Sequence, residues 1–365
     1  MRPPIRPLLL ANCAVAAVLA AMPHTAQAQA FAGTPDVVTG FANVFEVPDG
    51  GPGVPATTNV QLFNQETVIN WTAVDTGGTG SIDFLPEGTR ANFTYDGSGN
   101  FTVLNRVLPV DISSAPTAAT ISLNGIVESS NTNGTAGNIW FYSPTGIFVG
   151  PTAQITVGSL VLTTNDIQFV ENEFSDLGTI YGAGGLVEFR GNAGSTGMVE
   201  IAAGAQINAV GFDSYVALVA PRIVQNGSIS ANRNVAYIAA EQVDMFIDTG
   251  LFDFTVTVGT TDTNGVVHTG TTTGAASADS SDAKRIAMVA VPKNDALTML
   301  LSGTIGYAPA TDVTNEGGTL VLAAGFTSTN PADLPANELG SISIGETTFM
   351  VGDVAFPDMV YARGL

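Results

Sequence analysis

The residues best equipped for chemistry are few and far apart. His268 is the sole histidine after residue 30, so a catalytic triad has one candidate base and a metal centre has no second imidazole or thiol to complete it. A polysaccharide lyase would need clustered carboxylates to hold calcium and a basic residue to take a proton. Arg190, Arg222 and Arg233 are available, yet they are scattered over different expected coils among isolated acids. Solvated, outward arginines are the expected state for such a pattern. Gly77-Gly78-Thr79-Gly80-Ser81-Ile82-Asp83 resembles a calcium-binding nonapeptide, but its Asp comes one place late and the phrase occurs once, so it reads as a turn. Asp96-Gly97-Ser98-Gly99-Asn100 lacks the position-six glycine and the terminal Glu of a calcium loop, and reads as a hairpin turn. No phosphate-binding loop, nucleophile elbow or zinc-protease motif is present. The sequence assigns no catalytic residue, no metal ligand and no cofactor, and the expectation is a protein that is not an enzyme.

The first 30 residues stand apart from the rest. Arg2 and Arg6 precede an almost wholly apolar run from Leu8 to Met22. Ala28-Gln29-Ala30 fits an A-x-A cleavage site, and Ala26-Gln27-Ala28 fits equally well. These are the marks of a secretory signal peptide, with Ala28 and Ala30 as cleavage residues. No later stretch reaches 18 consecutive apolar residues, so no transmembrane segment is expected in the mature chain. The single cysteine, Cys13, lies in the leader, where the preceding Asn12 argues against lipidation. An exported chain without disulfides must rely on burial and backbone pairing.

Charge is one-sided: 11 basic against 32 acidic residues, a net of −21. That excludes nucleic acid and anionic lipid surfaces as partners. Charged residues are only 12% of the chain and hydrophobic ones 45%, which supplies a core and rules out an acidic disordered tail.

Strand signals dominate and helical periodicity is absent. Runs such as Phe101–Val107, Ile139–Tyr142, Tyr215–Val219 and Val235–Ala239 are rich in β-branched and aromatic residues and bounded by turn formers. The runs repeat. Gly146 to Gly158 returns 52 residues later, setting Val199 over Ile147, Ile201 over Val149 and Ile207 over Ile155. Val216 and Val235, 19 residues apart, open matching phrases, and Thr319-Leu320-Val321-Leu322 repeats them. Short self-similar strands with small-residue turns define a solenoid. The expected fold is all-β, a parallel β-helix with coils about 4.8 Å apart, apolar ladders inside and polar residues outside. At roughly 20 residues per coil the length allows up to ~15 coils, fewer with insertions. One insertion is expected at Asp253 to His268, where Phe254–Val258 would face Val266-Val267 across Asn264-Gly265 as a projecting hairpin. Gly270–Asp282 would then be a flexible return loop.

Four phrases occur in a telling order: Leu104-Asn105-Arg106-Val107, then Ile121-Ser122-Leu123-Asn124-Gly125, then Asn138 to Pro151, then Val157-Gly158-Ser159-Leu160-Val161. In order and spacing they resemble the N-terminal two-partner secretion (TPS) domain of the filamentous haemagglutinin family, over roughly Val37 to Val243. In that family the central turn reads Asn-Pro-Asn-Gly-Ile. Here Pro144, Gly146 and Ile147 match, while Ser143 and Thr145 replace the asparagines. The family's upstream Asn-Pro-Asn-Leu element has no clear counterpart. The resemblance implies a right-handed, pectin-lyase-like solenoid with an N-terminal cap. It also implies secretion-signature residues at Asn105, Arg106, Asn138, Ser143, Pro144, Thr145, Gly146, Ile147, Gly150 and Gly158. The implied route runs through the periplasm, unfolded, to a dedicated outer-membrane transporter, ending secreted or at the surface of a Gram-negative bacterium. The Ser143 hydroxyl is expected to cap the turn, and Thr145 to do so more weakly.

The expected organisation is a signal peptide (1–30), a TPS-like secretion domain of cap plus β-helix (31–245), a hairpin and loop insertion (246–285) and a continuing β-helical passenger (286–365). The expected function is a secreted, adhesin-like exoprotein. A β-helical polysaccharide-active enzyme and a passive surface or biofilm scaffold are the alternatives. A host or bacterial surface receptor is compatible with an adhesin, but no motif identifies one. Trp140 and Phe141 are expected to face inward with Tyr142 outward, and Asn105 and Asn124 to stack as an internal asparagine ladder.

Overall fold

The 52-residue repeat is one coil of a parallel β-helix. Gly146–Val149 lies in register on Met198–Ile201, pairing Ile147 with Val199 and Val149 with Ile201. Gln154–Val157 lies on Gln206–Ala209 and pairs Ile155 with Ile207. Val216 stacks on Val235, and Ile286 on Leu320. The structure, a computed structural model, describes residues 30–51, 53–172, 175–248, 251–262, 264–275, 284–291, 299–306, 319–324, 342–350 and 359–363. The expected signal peptide, residues 1–29 of it, lies outside the described residues, as do residues 276–282 of the expected return loop.

Each coil has three strands. One coil runs Asn138–Tyr142, Gly146–Val149 and Gln154–Val157, then returns at Ser159, which pairs with Asn138 one level away. Among the described residues the first face has ten strands, from Thr34–Thr39 to Met359–Arg363, and the first of them is antiparallel. The other two faces merge through the long strand Met299–Gly306. Two excursions take residues out of the coils, so the levels are fewer than the ~15 that length alone allows. At the N-terminal end Thr34–Thr39 pairs antiparallel with Glu66–Val74, and Ala42–Val47 with Thr57–Leu62, which forms the cap.

The excursions leave from the ends of Ser159–Thr163 and Asn234–Ala239 and pair with each other. Leu186–Arg190 runs antiparallel to Gln242–Asp248, flanked by Asp166–Gln168 and Leu251–Val258. This four-stranded sheet covers the outer side of the first face. A second core forms between them, including Leu104, Trp140, Val161, Val219, Val243 and Phe254. It is separate from the interior ladder of Ile121, Ile147, Ile155, Val199 and Ile207. The strands record this division. Tyr215–Ala220 and Asn234–Ala239 are buried at every position, whereas Arg222–Gln225 and Ser228–Ala231 alternate. Strands covered on both sides read as continuous apolar runs. The expected polar exterior therefore holds for two faces of the coil and fails on the first.

The hairpin has different partners from those expected. Leu251–Val258 pairs with Gln242–Asp248, while Val266–His268 returns to the coil, parallel to Arg222–Gln225. Thr271–Thr273 likewise stacks on Ser228–Ala231. Val266 extends the interior ladder above Ile223, and a two-stranded hairpin is marginal alone, so ladder register prevails. The 245/246 boundary expected from sequence falls inside strand Gln242–Asp248, and residues 266–268 and 271–273 belong to the rod.

Candidate recognition site at the signature coil

The signature stretch from Asn138 to Gly158 is one closed coil, and each of its three corners holds signature residues. Ser143, Pro144, Thr145 and Gly146 turn the first corner, Gly150 the second and Gly158 the third. Successive coils approach closely at these corners. Gly146 has φ +153°, and a Cβ there would meet Thr120 Oγ1 at 2.9 Å. A Cβ on Gly150 would lie 1.7 Å from Asn124 Oδ1. The Gly158 amide donates to the Gly137 carbonyl at 2.7 Å. Ile147 is buried between Ile121 and Val199.

The two residues that depart from the family turn exchange their expected roles. The Ser143 amide donates to the Thr163 carbonyl at 3.1 Å, but its buried hydroxyl has no partner among the described residues. The Thr145 hydroxyl donates to the carbonyl of Ala119 on the neighbouring coil. The corner is thus tied between coils by Thr145 and not capped by Ser143. Ser143 directly follows the strand Asn138–Tyr142, which is buried at every position.

Beside the corner, Arg106 Nη2 donates to both oxygens of Asp166 at 2.9 and 2.7 Å, and its Nη1 donates to Asn70 Oδ1 at 3.3 Å. Its guanidinium lies 5.6 Å from the Tyr142 ring centroid and 5.5 Å from that of Phe169. Tyr142, Pro144, Asp166, Arg190 and Ser195 line a cleft of about 320 Å³. Arg190 is paired with Glu188 and Asp244. Burial raises the Tyr142 phenol pKa, and the Asp166 charge raises it further against the opposing effect of Arg106. The cleft therefore presents a phenol held protonated beside paired charges.

The asparagines Asn105, Asn124 and Asn138 sit away from this corner. Asn105 is buried in the rod, accepting from Trp71 Nε1 at 3.0 Å and donating to the Trp140 carbonyl at 3.2 Å. Asn124 is on another face and donates to Asp83 at 2.8 Å, so no asparagine ladder forms. Asn138 donates to Thr102 Oγ1 at 3.1 Å and lines a separate cleft of about 690 Å³ with Glu66, Tyr181 and Phe212. There burial raises the Glu66 pKa, against the lowering effect of a bond from the Ile180 amide. Phe141 faces inward as expected, but Trp140 joins Tyr142 in the second core, since neighbours on a strand point to opposite sides.

The scattered bases do not converge. Arg233 pairs with Asp213, and Arg222 makes no ion pair among the described residues. His268 is buried inside the coil and not at the end of a hairpin. Its Nδ1 lies 2.8 Å from the Ser302 carbonyl and its Nε2 2.8 Å from the Thr272 hydroxyl. Among the described residues no three His, Cys, Asp or Glu side chains form a metal-binding group. Sequence reasoning missed Asp166 and Phe169 and weighed Arg190 only as a scattered base; all three are contributed by the excursions. Arg106, a lone base with no acid near it in sequence, was the available hint.

No protein-family model matches the chain, and no curated protein matches it. Among solved structures, it is similar to the crystal structure of the HMW1 secretion domain from Haemophilus influenzae, at 16% identity over 91% of each chain with a TM-score of 0.49. It is also similar to the crystal structure of filamentous hemagglutinin secretion domain, at 16% identity over 89% of this chain and 99% of that chain, with a TM-score of 0.41.

Proposed function

We propose that the protein is a two-partner secretion exoprotein, adhesin-like and without catalytic activity, exported through an outer-membrane transporter that recognises its N-terminal region. The observation that carries this reading is the coincidence of eight of the ten signature residues with one complete coil, turned at Ser143–Gly146, with Asn105 and Arg106 on the neighbouring level. A signature distributed over a whole coil is linear in the unfolded chain and disperses over three corners once folded. A transporter reads it in the unfolded chain.

Folding supplies direction. Each level that closes outside the cell buries its apolar ladder and pairs its backbone with the level before, which opposes return through a pore. The cysteine-free mature chain has no disulfide to form on the periplasmic side. The rod then remains secreted or surface-held, available to a host or bacterial receptor.

The test is secretion of the tagged chain from a Gram-negative host with and without a partner barrel encoded beside it. Release that depends on the barrel is expected. Equal release without it, or periplasmic retention in its presence, would overturn the proposal.

A further inference from the structure

Among the described residues two faces of the rod carry no covering sheet, and they differ in chemistry. On the face that holds Gln154–Val157 the outward ladder is polar, running Asn92, Glu128, Thr156, Asn208 and Ser230 from level to level. On the face that holds Gly146–Val149 it runs Phe148, Glu200, Val224, Val267 and Leu300. The last three occupy successive levels, and each is partly exposed. Their strand neighbours Ile223, Val266 and Leu301 belong to the interior ladder, so these side chains point outward. Adjacent outward apolar side chains form a patch that association can bury.

A net charge of −21 makes whole copies of the chain repel one another. Self-association therefore needs a place where unlike charges meet. Met198 pairs with Arg222 and Glu200 with Val224, so these four outward residues form a rectangle over two levels. Met198 and Val224 end one diagonal, Arg222 and Glu200 the other. Neither Arg222 nor Glu200 makes an ion pair among the described residues, and Arg222 Nε is buried without a partner there. A two-fold axis lying in this face along the Met198–Val224 diagonal exchanges Arg222 with Glu200. A second copy placed by that axis sets each Arg222 against the partner's Glu200 and closes the apolar diagonal on itself. Such self-complementarity is what a two-fold interface requires.

We propose that the protein forms a two-fold dimer through this face, with the two rods crossing at the Met198, Glu200, Arg222 and Val224 rectangle. Two Arg–Glu pairs flank a seam that Val224 and Met198 fill. The first face is taken by its four-stranded cover, and the polar ladder of the remaining face offers no comparable seam.

Light scattering on the purified mature chain tests it. Twice the mass of one chain is expected, and a single-chain mass would overturn the proposal whether or not any variant folds. Arg222→Glu sets acid against acid in both pairs, and Glu200→Arg sets base against base, so each variant alone should lose the dimer. Mixed together, the two variants restore both Arg–Glu pairs across the interface, and the doubled mass should return. Dimers that persist in both single variants would place the contact elsewhere. Loss without recovery on mixing would likewise overturn the assignment.

Discussion

Arg106 and Asp166, sixty residues apart, meet in a two-pronged ion pair of 2.9 and 2.7 Å that ties the coil to the excursion covering it. The pair is partly shielded, with 18% and 31% of the side-chain surfaces exposed. It lies beside the signature corner and orders the cleft next to Pro144.

Arg106→Ala should lower stability by about 1–3 kcal/mol, since a charged hydrogen-bonding group is left without its partner. Arg106→Lys should recover only part of the loss, because one ammonium cannot hold Asp166 and Asn70 together as the two guanidinium nitrogens do. Urea unfolding midpoints of the three proteins measure both effects.

Gly150→Ala should destabilise the second corner by about 1–3 kcal/mol through overpacking. The clash is with Asn124 Oδ1, and that side chain is held by its bond to Asp83. The Asn124→Ala/Gly150→Ala double variant should lose less than the two single losses combined. A double-mutant cycle on thermal unfolding would show the coupling.

Asn105→Ala should strand the Trp71 indole N–H in the interior at a cost of about 1–3 kcal/mol. Trp71 and Trp140 are the chain's two tryptophans, and Asn105 bonds to the ring of one and the backbone of the other. Intrinsic fluorescence during unfolding therefore reports directly on this site.

His268 should make the rod sensitive to mild acid. Burial lowers its pKa below the ordinary 6.5, so the unfolded chain binds the proton more readily than the folded one. Stability is intact above pH 6.5 and falls as pH drops through the window between that value and the depressed one, by at most about 1.4 kcal/mol per pH unit. The groups on the ring are Thr272, the Ser302 carbonyl and the Tyr237 ring, all uncharged. His268→Gln should flatten the difference between stability at pH 7.5 and pH 5.5, read by chemical denaturation at each (both values are about one unit from the ordinary pKa).

The solenoid was legible because inward residues must recur at the same place in every coil, so Ile147 and Val199 match in type and spacing. The continuous apolar runs of Tyr215–Ala220 and Asn234–Ala239 carried the signal of a first face covered on both sides, although the sequence alone reads as a rod with a polar exterior throughout. What they could not name was the cover.

Tertiary structure alone decided where the excursions dock, that Trp140 turns away from the interior, that Thr145 rather than Ser143 ties the signature corner, and that His268 sits inside the rod. The physical reason lies in register across unequal distances. Adjacent levels are 52 residues apart at Ile147 and Val199 but 19 apart at Val216 and Val235. A contact such as Arg106 with Asp166 depends on how the intervening chain packs, and no local pattern encodes it.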